Sequence, residues 1–293
     1  MSFFKRFPSV SIMIAATLWG LTGIFVRRLN AAGLDNMQLL FFRSLITAAT
    51  ITFFIVFTDR KKLKINPKDW WYFFGTGILS FMLFGFCYFY TISHASMSVA
   101  AILLYTSPFF VMIMAAIFFK EKITAARVLA LFMAAAGCLL ICGTDHNIKL
   151  TPLTVFTGIS SGFCYALYSI FGRVALKKYD SSTVTAYTFI FATIGSLFVV
   201  DFPKIHSVMI ANPDAIVLTV VFAFISAVLP YVFYTNGLKY TDTGKAAIMA
   251  TLEAVVASIA GVIAFGESFT ISGIIGTVLV INAVAMLNRK TNR

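Results

Sequence analysis

Charged side chains are scarce in this sequence of 293 residues: 12% are Asp, Glu, Lys or Arg, whereas 60% are hydrophobic. Water-soluble domains carry about 25% charged residues, so this composition does not suit a protein whose whole surface faces water. The longest polar stretch, residues 58–69, is too short to enclose a hydrophobic core of its own. The sequence therefore excludes a separate soluble domain.

Residue types that bind nucleotides and metals are also few. No Walker A sequence is present, which argues against direct use of ATP. The 11 acidic residues are scattered, and the three histidines show no ligand spacing. Apolar runs contain all four cysteines, which we interpret as buried packing residues: Cys87, Cys138, Cys142 and Cys164. We expect neither a cofactor nor a bound metal.

Long apolar runs make up most of the chain, and its mean hydropathy is +0.92. A transmembrane helix needs about 20 mostly apolar residues to cross about 30 Å of hydrocarbon. Ten candidate spans are present: 9–26, 34–57, 70–92, 97–119, 127–143, 154–173, 184–200, 215–238, 246–265 and 271–287. They are longer than strands and lack the alternation of a lipid-facing barrel. They predict an all-α integral membrane protein with ten transmembrane helices.

The net charge of +12 indicates orientation in a membrane rather than nucleic-acid binding. If the amino terminus is cytoplasmic, nearly all lysines and arginines fall in cytoplasmic segments. Only Arg27, Arg28, Lys149 and Lys204 fall on the opposite side, and Arg43 lies inside a span. We therefore expect the cytoplasmic membrane, both termini in the cytoplasm, surrounding lipids and no nucleic-acid partner. The first span runs past the usual signal-peptide length, and we expect it to be retained.

The chain resembles itself at an offset of 146 residues. Residues 19–25 (WGLTGIF) align with 165–171 (YALYSIF), from position 19 to position 165. Residues 120–124 (KEKIT) align with 266–270 (GESFT) at the same offset. Residues 89–91 match 233–235 at an offset of 144. Identities are few, but a near-constant offset across several spans indicates two related halves.

Each half, residues 1–146 and residues 147–293, contains five of the predicted spans. An odd number of spans forces the second half to enter the membrane upside down. The prediction is thus two inverted five-helix repeats. Such repeats are typical of alternating-access transporters, whose substrate site lies near the midplane between the halves. A passive membrane scaffold that arose by duplication is the alternative.

Two ionisable residues lie within apolar runs, and both are costly to place in hydrocarbon unless they meet a partner or water. Arg43 could hold a substrate carboxylate, form a conformational salt bridge, or cap carbonyl groups as a structural charge. Glu253 could take part in proton coupling or pair with a cationic substrate. It could also remain protonated or bind neighbouring backbone.

The sequence resembles the EamA family of the drug/metabolite transporter superfamily in both halves. The residues that carry the resemblance are Trp19-Gly20, Arg43, Tyr105-Thr106-Ser107-Pro108, Leu252-Glu253, and Glu121 and Glu267, each followed three residues later by Thr. Ala254 departs from the pattern, in which Pro often follows the ninth-span Glu. The resemblance implies ten helices, cytoplasmic termini and transport of small metabolites. It places the second span outside the main cavity wall, which favours a structural charge at Arg43.

Aromatic residues concentrate on the helices that form the cavity in this family. With Glu253, the predicted substrate-binding residues are Trp19, Tyr88, Tyr90, Tyr105, Tyr165, Tyr168, Tyr231 and Tyr234. Tyrosine offers a ring for stacking and a hydroxyl that needs a partner when buried. Such a wall suits aromatic, amphipathic or cationic solutes. The alternative for each residue is an aromatic belt at the membrane surface.

These features together predict a secondary transporter that moves a small metabolite, such as an amino acid or an amphipathic or cationic solute. The solute would cross by alternating access, driven by a substrate or ion gradient, and Glu253 could couple its movement to protons. The alternatives are a membrane enzyme acting on a lipid or prenyl substrate and a scaffold that transports nothing. The sequence is compatible with a monomer or a homodimer.

Overall fold

A computed structural model describes residues 3–143, 150–268 and 270–288, and within these ranges the chain is helical with no β-strand. The cations Lys149, Arg289, Lys290 and Arg293 lie outside the described residues. The long helices are, in chain order, α1 (Pro8–Ala31), α2 (Asn36–Thr58), α3 (Pro67–His94), α4 (Met97–Phe119), α5 (Ala125–Cys142), α6 (Pro152–Ala175), α7 (Ser181–Ser196), α8 (Asp214–Lys239), α9 (Thr243–Phe265) and α10 (Ile271–Asn288).

Nine of these helices in the described ranges, all except α7, are long and apolar enough to cross a membrane. Helix α7 was predicted as a span over 184–200, but it ends at Ser196 after 16 residues. At 1.5 Å per residue it is about 24 Å long, shorter than the hydrocarbon layer. The chain turns there, with the Val199 amide donating to the Ser196 carbonyl at 3.1 Å. Helix α7 packs against α2 and α3, so protein covers much of it.

The same backbone irregularities occur in both halves. Helix α4 is interrupted between Leu104 and Ser107, and α9 is interrupted between Ala250 and Leu252. Helices α3 and α8 contain π-helical segments, at Gly75–Met82 and Phe224–Val228. Each feature recurs about 146 residues later, which is the offset of the sequence repeat. The two halves therefore share backbone geometry as well as sequence pattern.

The residues that follow α4 and α9 also match. Lys120 and Gly266 both adopt the left-handed conformation, with φ of 56° and 66°. Glycine takes this conformation without steric cost, whereas lysine rarely does. Lys120 keeps it because the chain must turn sharply to bring Glu121 back to the bundle. Its recurrence 146 residues later supports the internal repeat.

The break in α9 forms without proline. In α4 the break precedes Pro108, and the Thr106 hydroxyl donates to the Leu103 carbonyl at 2.6 Å. In α9 the Thr251 hydroxyl donates to the Ile248 carbonyl at 2.7 Å in the same way. A threonine hydroxyl that bonds the backbone competes with the helical ladder and bends it. Threonine therefore supplies the local bend that the family pattern associates with proline.

Small residues let α6 approach the break in α4. A Cβ added to Gly162 would lie 2.5 Å from the Thr106 hydroxyl and 3.0 Å from the Leu103 carbonyl oxygen. A Cβ added to Gly158 would collide with the Leu103 side chain. The Gly-x-x-x-Gly sequence of α6 is therefore a packing surface.

Candidate substrate-binding site

An aromatic cavity lies at the centre of the helix bundle. Helices α1, α3, α6 and α8 supply its lining, which consists of Trp19, Ser80, Phe81, Phe84, Tyr165, Tyr168, Ser169, Tyr231 and Tyr234. Its volume is only about 10 Å³, room for about one water molecule. Side chains must therefore move apart before an organic solute can enter.

Trp19 joins the first half to the second at this cavity. Its ring centre lies 5.3 Å from that of Tyr231, 5.2 Å from that of Tyr234 and 6.4 Å from that of Tyr165. Edge-to-face and tilted contacts at these distances are the favoured geometries for aromatic pairs. Trp19 lies just before the turn at Leu21 that interrupts α1. The three ring contacts therefore hold the break of α1 against α6 and α8.

The π-helical segment of α3 places Phe81 in the wall. Its ring centre is 5.0 Å from that of Phe189 and 6.0 Å from that of Tyr231. A π-helical turn shifts the following side chains around the helix axis, and such turns are frequent at functional sites. The shift explains why Ser80, Phe81 and Phe84 were not among the predicted lining residues.

The lining tyrosines fall into two groups by their hydroxyls. The Tyr168 hydroxyl lies 2.7 Å from the Thr235 hydroxyl, and the Tyr234 hydroxyl lies 2.8 Å from the Ser169 hydroxyl. The Tyr231 hydroxyl lies against the Arg43 guanidinium, and the Tyr165 hydroxyl makes no side-chain hydrogen bond among the described residues. The hydroxyls of the first group bond to the facing helix, whereas those of the second lie near Arg43.

Arg43 reaches the wall of this cavity from α2. Its guanidinium carbon lies 4.5 Å from the ring centre of Phe81, and the group faces the hydroxyls of Tyr231 and Tyr165. Its Nε atom is buried without a hydrogen-bond partner. No carboxylate among the described residues forms an ion pair with it.

Glu253 lies in the first turn of the part of α9 that resumes at Leu252, beside α1. A Cβ added to Gly20 would lie 2.7 Å from the Glu253 carbonyl oxygen, so glycine permits this close approach. The Glu253 carboxyl is near enough to Tyr165 and Tyr231 to act on them electrostatically. Within the described ranges it forms neither an ion pair nor a hydrogen bond. A carboxyl group and a guanidinium group therefore lie beside the aromatic cavity, outside its lining, without pairing with each other.

The structure does not bring every predicted residue into this lining. Tyr88 lies beside it and packs against Phe84, with ring centres 5.5 Å apart. Tyr105, at the break of α4, packs instead in a cluster formed by α5, α9 and α10. Tyr90 lies near the end of α3, where its ring stacks on His94 at 3.9 Å. That local pair, four residues apart on one helix face, keeps Tyr90 away from the lining.

A cleft opens at the surface where α4, α6 and α8 end. Its charged lining, which we call the basic face, consists of Lys120, Glu121, Lys122, Arg127, Arg173, Lys177 and Asp242. The Glu121 carboxylate accepts hydrogen bonds from the backbone amides of Thr243 (2.7 Å) and Gly244 (3.2 Å). A carboxylate at a helix amino terminus is favoured by both hydrogen bonding and the helix dipole. This bond ties the end of α4 to the start of α9.

The corresponding acid of the second half makes a different contact. Glu267 pairs with Arg27 at 2.6 Å, on the opposite end of the bundle from the basic face. The start of α4, where the symmetric contact would lie, is capped by its own Ser96, whose hydroxyl accepts from the Val99 amide at 3.2 Å. The two halves are therefore alike in backbone but not in how their ends are closed.

Repeated, interrupted helices around a central pocket define a multi-pass membrane protein of the transporter class. The sequence profile of the EamA-like transporter family matches residues 7–143 and again residues 152–289. The chain belongs to this family, so the resemblance seen in the sequence is confirmed.

Relatives of known sequence cover nearly the same length. An uncharacterized transporter of Bacillus subtilis, YyaM, is 28% identical over 82% of this chain and 80% of its own. An uncharacterized transporter of Archaeoglobus fulgidus is 26% identical over 97% of both chains. The uncharacterized inner membrane transporter YicL of Salmonella typhimurium is 22% identical over 97% of this chain and 96% of its own. These names and the family point to a transporter rather than an enzyme.

A solved crystal structure shares the fold. It superposes with a TM-score of 0.79 over 97% of both chains at 15% sequence identity. The similarity confirms the helical architecture. Among the described residues, no group of three His, Cys, Asp or Glu side chains could hold a metal ion.

Proposed function

We propose that this protein is a secondary transporter that moves a small organic solute across the cytoplasmic membrane by alternating access. The observation that carries the proposal is that one aromatic cavity lies between two halves of similar backbone whose ends are held by different contacts. We call this difference the unequal closure. Trp19 of the first half and Tyr165, Tyr231 and Tyr234 of the second meet at that cavity. A solute bound there would lie between two halves that can rock against each other.

The unequal closure supports two alternating states. At the basic face, Glu121 of the first half binds the start of α9 in the second half. The symmetric contact would join Glu267 to the start of α4, but Glu267 is bound to Arg27 instead. In the proposed cycle, opening of the basic face breaks the Glu121 contact while Glu267 exchanges Arg27 for the start of α4. Because the halves share backbone geometry, the two states are expected to differ little in free energy.

The proposal is tested by flux into liposomes that contain the purified protein, measured for a panel of radiolabelled small metabolites. We expect accelerated flux of at least one solute, lost in the Trp19→Ala variant and kept in Trp71→Ala, whose ring is exposed on the outside of the bundle. Absence of flux for every solute, with the fold verified by circular dichroism, would refute it.

Glu253 is the proposed coupling residue. A carboxyl in a membrane interior without a protein partner can exchange a proton with the cavity water and so link solute movement to a proton gradient. Replacement of Glu253 by Gln should leave solute exchange intact while removing acceleration by an imposed pH difference. Unchanged acceleration in this variant would exclude Glu253 from coupling.

The basic face is proposed to lie in the cytoplasm, together with both termini. The cations that line it follow the positive-inside pattern. The protein is proposed to work as a monomer or a homodimer among membrane lipids.

A further inference from the structure

Polar side chains with few protein partners gather around the aromatic cavity. The Arg43 guanidinium lies against the Tyr231 hydroxyl, but its buried Nε has no hydrogen-bond partner and no described carboxylate pairs with it. Among the described residues, neither the Tyr165 hydroxyl nor the Glu253 carboxyl takes part in a side-chain hydrogen bond. Because a buried polar atom without a partner is destabilising, Arg43 has bonding capacity left for a group from outside the chain.

Arg43 and two tyrosines near it can all donate hydrogen bonds. The Arg43 guanidinium faces the Tyr165 and Tyr231 hydroxyls, and no described acid pairs with it. A guanidinium presents a rigid fork of N–H groups that matches a carboxylate with two parallel hydrogen bonds. Phenol hydroxyls can donate to the remaining lone pairs of the same carboxylate.

The second half supplies no equivalent cation. The position that matches Arg43 in α7 is near Thr188, whose hydroxyl lies 2.6 Å from that of Thr76 and is thereby satisfied. The cavity therefore has one cationic side. Its other neighbours are aromatic rings, which pack against an apolar body.

We propose that the transported solute carries a carboxylate, bound by Arg43 together with the hydroxyls of Tyr165 and Tyr231, and an apolar body packed against Trp19. This inference rests on the proposed transport function and names its substrate class. It also gives Arg43 a role beyond that of a structural charge.

The test uses three probes that share a phenyl group and differ in charge: L-phenylalanine, 3-phenylpropionate and 2-phenylethylamine. The melting temperature of the purified full-length protein in detergent is measured over a concentration series of each probe, because a ligand that binds the native form raises it. Both carboxylates should raise the melting temperature, and the amine should not. Stabilisation by the amine alone, or by none of the three, overturns the proposal.

The variants separate a binding role from a structural one. Arg43→Gln should weaken the apparent affinity for both carboxylates about 10- to 100-fold, and Arg43→Lys should weaken it less, because lysine keeps the charge but not the fork. The matched control is Arg28→Gln, which removes an exposed cation far from the cavity and should change nothing. A purely structural Arg43 would lower the melting temperature without probe and leave the preference for carboxylates intact, which would overturn the proposal.

If Arg43→Gln does not fold, Tyr165→Phe and Tyr231→Phe provide the same test with smaller changes. Each variant removes one hydrogen-bond donor and keeps the aromatic ring. The loss of one hydrogen bond should weaken carboxylate binding several-fold. Unchanged affinity in both variants overturns the proposal.

Failure of this inference differs from failure of the transport function. Liposome flux of an amine or a neutral solute, with no flux of either carboxylate, would leave transport established and refute the carboxylate site. Absence of flux for the whole panel would refute transport itself.

Discussion

At the scale of single residues, the tyrosines of one cavity wall differ in what their hydroxyls contact. Tyr168 and Tyr234 hold their hydroxyls against Thr235 and Ser169, so they fix α6 to α8. Tyr165 shares the ring packing but not the hydroxyl bond. The distinction depends on the partner of a single oxygen atom and is invisible in the sequence.

The first prediction follows from this difference. Tyr234→Phe leaves the Ser169 hydroxyl without its partner, so it should destabilise the protein by about 1 kcal/mol and lower its melting temperature by a few degrees. Tyr165→Phe is the matched control and should leave the melting temperature of the protein without solute unchanged. Thermal unfolding in detergent measures both. Equal losses in the two variants would contradict the assignment.

The aromatic residues of the cavity could be selected from the sequence, but their positions relative to one another could not be predicted from it. Trp19, Tyr165, Tyr168, Tyr231 and Tyr234 were predicted as lining residues, and the structure places all five in the lining. Whether they bind solute stays a prediction. An aromatic residue at the membrane surface and one in the cavity can have the same neighbours in the sequence. Packing between helices decides which of the two positions a residue occupies, and the sequence does not show that packing.

At the scale of helices, the interruptions decide where side chains point. The breaks in α4 and α9 follow threonines that bond back to their own helix, at Thr106 and Thr251. The π-helical segments in α3 and α8 change the helix face on which the following side chains lie. The sequence predicted the helices well, although nine rather than ten of those in the described ranges are long enough to cross a membrane. It could not predict the shortness of α7, because hydropathy continues past Ser196 where the helix does not.

The second prediction concerns the contact between α4 and α6. Gly162→Val places a side chain against the Thr106 hydroxyl and the Leu103 carbonyl, so the two helices must separate. We expect a loss of roughly 1–3 kcal/mol, as for other overpacked sites, and reduced flux. Gly23→Ala is the control, because a Cβ there meets no atom within 4 Å. Melting temperature and flux measure the effect, and equal behaviour of the two variants would argue against close packing.

The third prediction tests the closed end at the basic face. Glu121→Gln removes the charge that binds the start of α9, which is worth about 1 kcal/mol, or about a fivefold shift in population. A cysteine at Ser80, in the cavity wall and in a cysteine-free background, should then react faster with a reagent applied from the basic face. Glu267→Gln loosens the opposite end and should not increase this rate. A faster reaction in both variants would show that the two ends are not opposed.

At the scale of the whole molecule, the predicted five spans per half would determine on which side of the membrane each connection lies. The family profile matches each half separately, over residues 7–143 and 152–289. The boundary between halves at residue 146 stays a prediction, and it falls outside the described residues. The connections on either side of the membrane can be tested directly.

The fourth prediction is a labelling pattern. Single cysteines at Lys61 and Lys177, both exposed, should react only from the cytoplasmic side of intact cells or oriented vesicles. Cysteines at Arg28 and Ser207, also exposed, should react only from the opposite side. Reaction of Lys61→Cys and Arg28→Cys from the same side would contradict the topology.

The internal repeat has a consequence for how the chain enters the bilayer. If the two halves insert in opposite directions, the halves must differ in how their cations are distributed. Residues 59–69 hold five lysines and arginines, whereas the matching connection at 197–213 holds Lys204 alone. On the positive-inside pattern, this one difference would be enough to give two halves of similar backbone a single joint orientation.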